Sequence, residues 1–79
     1  MKISIYGGGC KNCQTLYENT QRAVSELGID CEIEKITDME KIMEAGVMLT
    51  PAFAIDGEIK FSQKVPGADE LKKIISQAS

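Results

Sequence analysis

The sequence predicts an α/β fold with strands and helices in the order β-α-β-α-β-β-α. Three observations predict this order. Short stretches alternate hydrophobic and polar residues with the period of a strand, and longer stretches repeat hydrophobic residues at helical spacing. An Asp-Gly pair also lies between the last two strand-like stretches, where it predicts a hairpin turn. We expect a four-stranded mixed sheet flanked by helices, in a single domain that spans residues 1–79.

The chain begins with a predicted strand over residues 2–6, followed by the glycine run Gly7–Gly9. Glycine adopts backbone conformations that are closed to other residues. The run is therefore either a simple turn or a place where a partner chain approaches Cys10. A helix is predicted over residues 10–27, and Gly28 is well placed to end it. The residues of this helix that are expected to face the core, because they recur at helical spacing, are Leu16, Thr20, Ala23, Val24 and Leu27.

The middle of the chain predicts a second strand and a short helix. Ile29, Cys31 and Ile33 alternate with acidic residues, which is typical of a half-buried strand. Cys31 is then interpreted as a small hydrophobe, with a redox or ligand role as the alternative. The first two strands should be parallel, because a helix joins them through a right-handed crossover. Asp38 can cap the short helix. Its residues expected to face the core are Met39, Ile42 and Met43.

The last third of the chain predicts a hairpin and a final helix. A strand begins after Thr50–Pro51, where proline is tolerated, and Asp56–Gly57 turns the chain into a return strand. We expect Ile59 and Phe61 to share one face of that return strand. The final helix follows Pro66–Gly67, and its hydrophobic side is made of Leu71, Ile74 and Ile75.

The composition argues against several classes of function. The formal charge of −3 argues against a nucleic-acid surface, which would be basic. No hydrophobic run approaches the ~20 residues of a membrane helix, and no secretion signal is recognised, so we expect a cytoplasmic protein. Three cysteines are too few for a disulfide framework, and histidine is absent. We expect no nucleic-acid or membrane partner, no cofactor and no metal.

Cys10 and Cys13 form a Cys-x-x-Cys pair where the first strand gives way to a helix. The unpaired N–H groups and the positive dipole end of a helix stabilise a thiolate, and Lys11 adds a positive charge. Such surroundings lower a cysteine pKa from about 8.5 toward roughly 3.5–7.5 and make the thiolate a nucleophile. Residues three apart on a helix have Cβ atoms about 5–6 Å apart, so a slight adjustment allows a disulfide. We predict that the pair cycles between dithiol and disulfide.

Four segments of the sequence carry a family resemblance. They are Ile3-Ser4-Ile5-Tyr6, Gly9-Cys10-Lys11-Asn12-Cys13-Gln14, Leu49-Thr50-Pro51 and Asp56-Gly57. With these segments in this order, the chain resembles the minimal thioredoxin fold, close to glutaredoxin. It most resembles the small thioredoxin-like redox-active disulfide proteins of bacteria and archaea. The resemblance covers essentially the whole chain and implies a thiol–disulfide oxidoreductase.

The resemblance also implies roles for the matching residues. Cys10 would attack a substrate disulfide, and Cys13 would resolve the mixed disulfide. A cis peptide bond would precede Pro51, and the backbone of Thr50 would pair with the substrate chain. The expected substrate-binding residues are Thr50, Pro51, Gly9 and Lys11. The expected partners are a disulfide-containing protein and a reductase or low-molecular-weight thiol, and we expect a monomer.

The chain departs from thioredoxins at two of the matching positions. Gly9 stands where thioredoxins place a tryptophan directly before the first cysteine. Ser4 stands near the place of their buried acid, and a serine cannot assist proton transfer as that acid does.

Two other functions compete with the redox interpretation. Small heavy-metal domains also place Cys-x-x-Cys between a strand and a helix, so Cys10 and Cys13 could carry Cu(I) or Zn(II). Those domains usually have methionine where Gly8 stands here, and they end on a strand. The second competitor is an interaction module whose cysteines only clip the helix end.

Overall fold

The computed structural model describes residues 1–7 and 11–78. Within these ranges the elements are β1 (Lys2–Tyr6), α1 (Lys11–Leu27), β2 (Glu32–Ile36), α2 (Met39–Glu44), β3 (Ala52–Ile55), β4 (Glu58–Ser62) and α3 (Ala68–Ala78). The strands of this part of the chain form one four-stranded sheet in the order β2-β1-β3-β4. β1 is parallel to β2 and antiparallel to β3, and β3 and β4 are antiparallel. The predicted mixed sheet and element order are therefore confirmed.

Helices cover both faces of the sheet. α1 and α3 pack on one face, where the larger core includes Ile3, Ile5, Leu16, Phe53, Leu71 and Ile75. α2 packs on the opposite face, where a smaller core contains Tyr6, Ile42, Val47, Ala52 and Ala54. β1 and β3 contribute to both cores, because successive side chains of a strand point to opposite faces.

Two predicted helix ends, one at Gly28 and one at Asp38, agree with the hydrogen bonds found there, while the predicted start of the first helix at residue 10 lies outside the described residues. α1 ends at Leu27, and the Gly28 N–H donates to the carbonyl of Val24 (3.1 Å). Asp38 caps α2, because its carboxylate accepts a hydrogen bond from the N–H of Glu40 (2.9 Å). Among the helices of residues 11–78, none is long and apolar enough to cross a membrane.

β2 begins later than its hydrophobic pattern predicts. We expected an alternating strand that includes Ile29 and Cys31, whereas β2 spans Glu32–Ile36. The partner strand determines this start, because Glu32 pairs with Lys2 at the beginning of β1. Residues 29–31 instead connect α1 to the sheet. Cys31 is half-buried against the larger core, as expected of a small hydrophobe.

The hairpin contains a bulge that changes which way β4 presents its side chains. Phe53 pairs with Phe61, but the next residue, Ala54, pairs with Ile59, so Lys60 is an extra residue in β4. The prediction that Ile59 and Phe61 share one face is therefore wrong. Phe61 stacks on Phe53 with ring centroids 5.0 Å apart. Ile59 lies on the opposite face, where it lines a small pocket under the segment that follows α2.

The hairpin turn forms at Asp56–Gly57, as predicted. Both residues have positive φ, 51° at Asp56 and 87° at Gly57, which is the geometry of a type I′ turn. The turn is also tied to β1. The Asp56 N–H donates to the carbonyl of Lys2 (2.8 Å), and the Lys2 N–H donates to the Asp56 carboxylate (2.8 Å).

Candidate active site

Cys13 lies in the first turn of α1 and is completely buried. Helical spacing explains its burial, because Cys13, Leu16 and Thr20 fall on one face of α1 and all three are inaccessible to solvent. The sulfur therefore offers no exposed surface to a folded partner.

Three elements meet around the side chain of Cys13. Gly7 follows β1, Pro51 precedes β3, and both are buried. A Cβ atom placed on Gly7 would overlap the Sγ of Cys13 and lie 4.0 Å from the Cα of Pro51. The fold thus brings Cys13 and Pro51 together around a residue without a side chain. The peptide bond between Thr50 and Pro51 is cis, as the family resemblance implies.

Two of the remaining predicted site residues, Lys11 and Thr50, lie at the surface of the described part of the chain. Lys11 is the first residue of α1 and is exposed, and Thr50 is exposed directly before the buried Pro51. Cys10 and Gly9 lie outside the described residues, so the pairing of Cys10 with Cys13 stays a prediction. Within residues 1–7 and 11–78, no three Cys, Asp or Glu side chains cluster closely enough to hold a metal ion.

The charges near the start of α1 favour an anion. The first turn of α1 contains no acidic residue, while Lys11 contributes a positive charge. The N-terminal end of a helix also carries a partial positive charge from its unpaired N–H groups. A thiolate in this region would therefore meet attraction from the helix and no opposing carboxylate from its first turn.

Cys31 lies in a different electrostatic environment. Burial is the main reason that the pKa of the Cys31 thiol is raised above its ordinary value, with only partial relief from the positive N-terminus of the chain. A raised pKa keeps the thiol protonated at neutral pH, and the protonated form is not nucleophilic. Cys31 therefore has the properties of a packing residue.

An exposed groove beside Thr50 was missed by the sequence analysis. We name it the methionine groove, and it has a volume of about 520 Å³. Its lining is Met39, Ile42, Met43, Gly46, Val47, Met48 and Thr50. All three methionines of the groove expose most of their surface, 68% for Met39, 72% for Met43 and 92% for Met48.

The prediction that Met39 and Met43 face the core is therefore wrong. α2 has only six residues, and the smaller core beneath it is filled by Ile42 and Val47. Met39 and Met43 are four residues apart, so helical spacing correctly places them on one side of the helix. Spacing does not say whether that side contacts the sheet, and no other signal in the sequence marks these residues as exposed.

The fold and the site together define a class of protein. A chain that folds as βαβαββα, whose sequence carries a Cys-x-x-Cys motif between β1 and α1, and whose second motif cysteine is buried near Pro51, is a thioredoxin-fold thiol protein.

Comparisons with known proteins identify the family. A model of the thioredoxin domain matches residues 1–76. A thioredoxin of Methanothermobacter thermautotrophicus is 54% identical over 76 residues, which cover 96% of this chain and 99% of the relative. A thioredoxin of Methanocaldococcus jannaschii is 48% identical over 71 residues, which cover 90% of this chain and 81% of the relative. The chain therefore belongs to the thioredoxin family, and it is a thiol–disulfide oxidoreductase.

Proposed function

We propose that Cys10 is the nucleophile and Cys13 the resolving cysteine of this exchange, with protein or small-molecule disulfides as substrates. The supporting observation is the complete burial of Cys13 beside Gly7 and Pro51. A buried sulfur cannot meet a disulfide of a folded substrate, so the first attack falls to the other cysteine of the motif. Cys31 does not compete for this role, because burial raises the pKa of its thiol.

The exchange proceeds in two steps that conserve atoms and electrons. The Cys10 thiolate attacks one sulfur of the substrate disulfide, and the other substrate sulfur leaves as a thiolate that takes up a proton. The Cys13 thiol releases its proton to solvent, and its sulfur then attacks the Cys10 sulfur of the mixed disulfide. A Cys10–Cys13 bond forms, the bond from Cys10 to the substrate breaks, and the second substrate sulfur leaves as a thiolate that is protonated by solvent. The protein loses two electrons, and the substrate disulfide gains them.

The substrate chain is proposed to lie against Thr50 and Pro51. Thr50 is exposed, whereas the adjacent Pro51 is buried near Cys13, so a segment bound along Thr50 would run close to the resolving sulfur. Gly9 would let that segment approach without a steric barrier, and the exposed Lys11 would stabilise negative charge on the leaving thiolates.

The cycle requires a second partner that returns the protein to its dithiol form. We propose a reductase or a low-molecular-weight thiol as this electron donor. Cells keep thiols reduced in the cytoplasm, and we place the reaction there, with the protein acting as a monomer.

Three cysteine variants test the assignment. Reduction of insulin disulfides, with dithiothreitol as the electron donor, measures turnover. We expect Cys10→Ser to fall to the uncatalysed rate, because no other sulfur can make the first attack. Cys13→Ser should instead accumulate a covalent mixed disulfide with the substrate, visible as a mass shift that dithiothreitol reverses. Cys31→Ser is the matched control, since it makes the same chemical change outside the motif and should retain turnover.

Two outcomes would overturn the proposed roles. Full turnover by Cys10→Ser would show that Cys10 is not the nucleophile, and absence of a trapped disulfide in Cys13→Ser would show that Cys13 is not the resolving cysteine.

Alkylation of Cys10 against pH tests the alternative of a soft-metal carrier. A low thiolate pKa supports the redox role, whereas tight Cu(I) binding with an ordinary thiol pKa supports the carrier.

A further inference from the structure

Gly7 occupies a constrained position at the end of β1. It is buried, and its N–H donates to the carbonyl of Ile36 at the end of β2 (2.9 Å). Pro51 lies near it on the β3 side. The backbone at Gly7 is therefore held by a neighbouring strand.

A side chain at this position would collide with the buried sulfur. A Cβ on Gly7 would overlap the Sγ of Cys13 and lie 3.0 Å from the Cβ of Cys13, which is also too close for an unstrained contact. Because the Gly7 backbone is hydrogen-bonded to Ile36, the overlap with Sγ is relieved by rotation of the Cys13 side chain, whereas the contact with its Cβ needs only a small shift of the α1 backbone. The Cys13 sulfur would then leave the position that it occupies here.

We propose that Gly7 is a positioning residue for the resolving step, an inference that depends on the proposed roles of Cys10 and Cys13. Its missing side chain provides the space in which the Cys13 sulfur lies. In the resolving step, that sulfur forms a bond to the Cys10 sulfur while the bond from Cys10 to the substrate breaks and the substrate thiolate leaves. The step depends on where the Cys13 sulfur points, whereas the preceding attack by Cys10 does not involve that sulfur.

The substitution Gly7→Ala should therefore slow one of the two steps selectively. Dithiobis(nitrobenzoate) is a suitable probe, because the attack by Cys10 releases one coloured thiolate and the resolution by Cys13 releases a second. We expect the first phase of colour to keep its rate in Gly7→Ala, while the second slows roughly tenfold to a hundredfold, the range that a displacement of about 1 Å can cause. Stopped-flow absorbance separates the phases.

Gly67→Ala is the matched control for this experiment. A Cβ on Gly67 meets no atom within 4 Å, and the backbone there has no positive φ, so both phases should keep their rates. An unchanged second phase in Gly7→Ala would overturn the inference about Gly7 and leave the cysteine roles intact. By contrast, a wild-type protein that releases only one thiolate would overturn the proposed function itself.

A double variant keeps the test decisive if Gly7→Ala does not fold. The change Cys13→Ala removes the Sγ atom with which the new Cβ would overlap. We therefore expect the double variant to fold even where Gly7→Ala alone does not, and, where both fold, Gly7→Ala to lower the unfolding temperature less in the Cys13→Ala background than in the wild-type chain. A double variant that fails to fold while Cys13→Ala folds, or an equal loss in both backgrounds, would show that the sulfur is not what the Gly7 position accommodates.

Discussion

Burial determines what each of two cysteines can do. Cys13 is completely covered, so a sulfur of a separate folded partner cannot reach the sulfur of Cys13. Cys31 is half-buried against the larger core, and this burial raises the pKa of its thiol. The two thiols are therefore protected from reaction for different reasons. Cys13 is covered by its neighbours, whereas Cys31 remains protonated.

We predict that Cys31 reacts slowly with iodoacetamide in the native protein. Its raised pKa leaves little thiolate at neutral pH, and the rate should increase as the pH rises toward that pKa. Peptide mass spectrometry after timed labelling measures the rate. The chain unfolded in urea is the control, because unfolding removes the burial. Labelling of Cys31 at equal rates in native and unfolded protein would contradict the prediction.

Sequence patterns reveal some of these residue properties and miss others. Strand-like alternation around Cys31 was enough to indicate a half-buried cysteine, even though the strand itself begins after it. The contact between Gly7 and Cys13 could not be found in this way. It depends on how closely the start of α1 packs against the end of β1, and that distance follows from the packing of both cores.

At the scale of elements, the β3–β4 hairpin shows what a turn motif can and cannot predict. Asp56–Gly57 correctly indicated the turn, because positive φ at both positions favours this residue pair. The bulge at Lys60 was not predictable, since Ile59 and Phe61 continue the two-residue period without interruption. Only the pairing with β3, including the stacking of Phe61 on Phe53, reveals the extra residue.

We predict that Gly57→Ala lowers the free energy of unfolding by about 1–2 kcal/mol, the cost of holding an alanine in the left-handed region. Gly57 has a φ of 87° and open space around it, so backbone strain is the only penalty. Urea denaturation measures the change. Gly67→Ala serves again as the control, with a smaller expected loss, because its backbone has no positive φ and the change only replaces the glycine that precedes α3. Similar losses in the two variants would argue against strain at the turn.

At the scale of the whole molecule, the sheet separates two cores of unequal size. The larger core unites α1, α3, β1 and β3, whereas the smaller one receives only Ile42 from α2. The larger core was predicted well from the alternating hydrophobic residues of the strands and from the hydrophobic residues at helical spacing in α1 and α3, because these two helices are long enough to repeat that spacing several times. α2 is too short for its pattern to show which side is buried, and the methionine groove was therefore missed.

We predict that Phe53→Ala costs about 3–5 kcal/mol of unfolding free energy, as is typical when a buried phenylalanine is truncated. Phe53 is completely buried in the larger core, and such a loss is a large part of the about 5–15 kcal/mol that stabilises most domains. Phe61→Ala makes the same change in the stacked but partly exposed ring. It should cost less, and the reverse order in thermal or urea unfolding would be inconsistent with this core.

The complete enclosure of Cys13 also affects how the oxidation state of this protein is measured. The chain has three cysteines, yet an alkylating reagent added to the native protein cannot count a sulfur that it cannot touch. A fully reduced sample will therefore give a titre below three and resemble a partly oxidised one. Only a titre taken after denaturation distinguishes a disulfide from a thiol that is merely hidden.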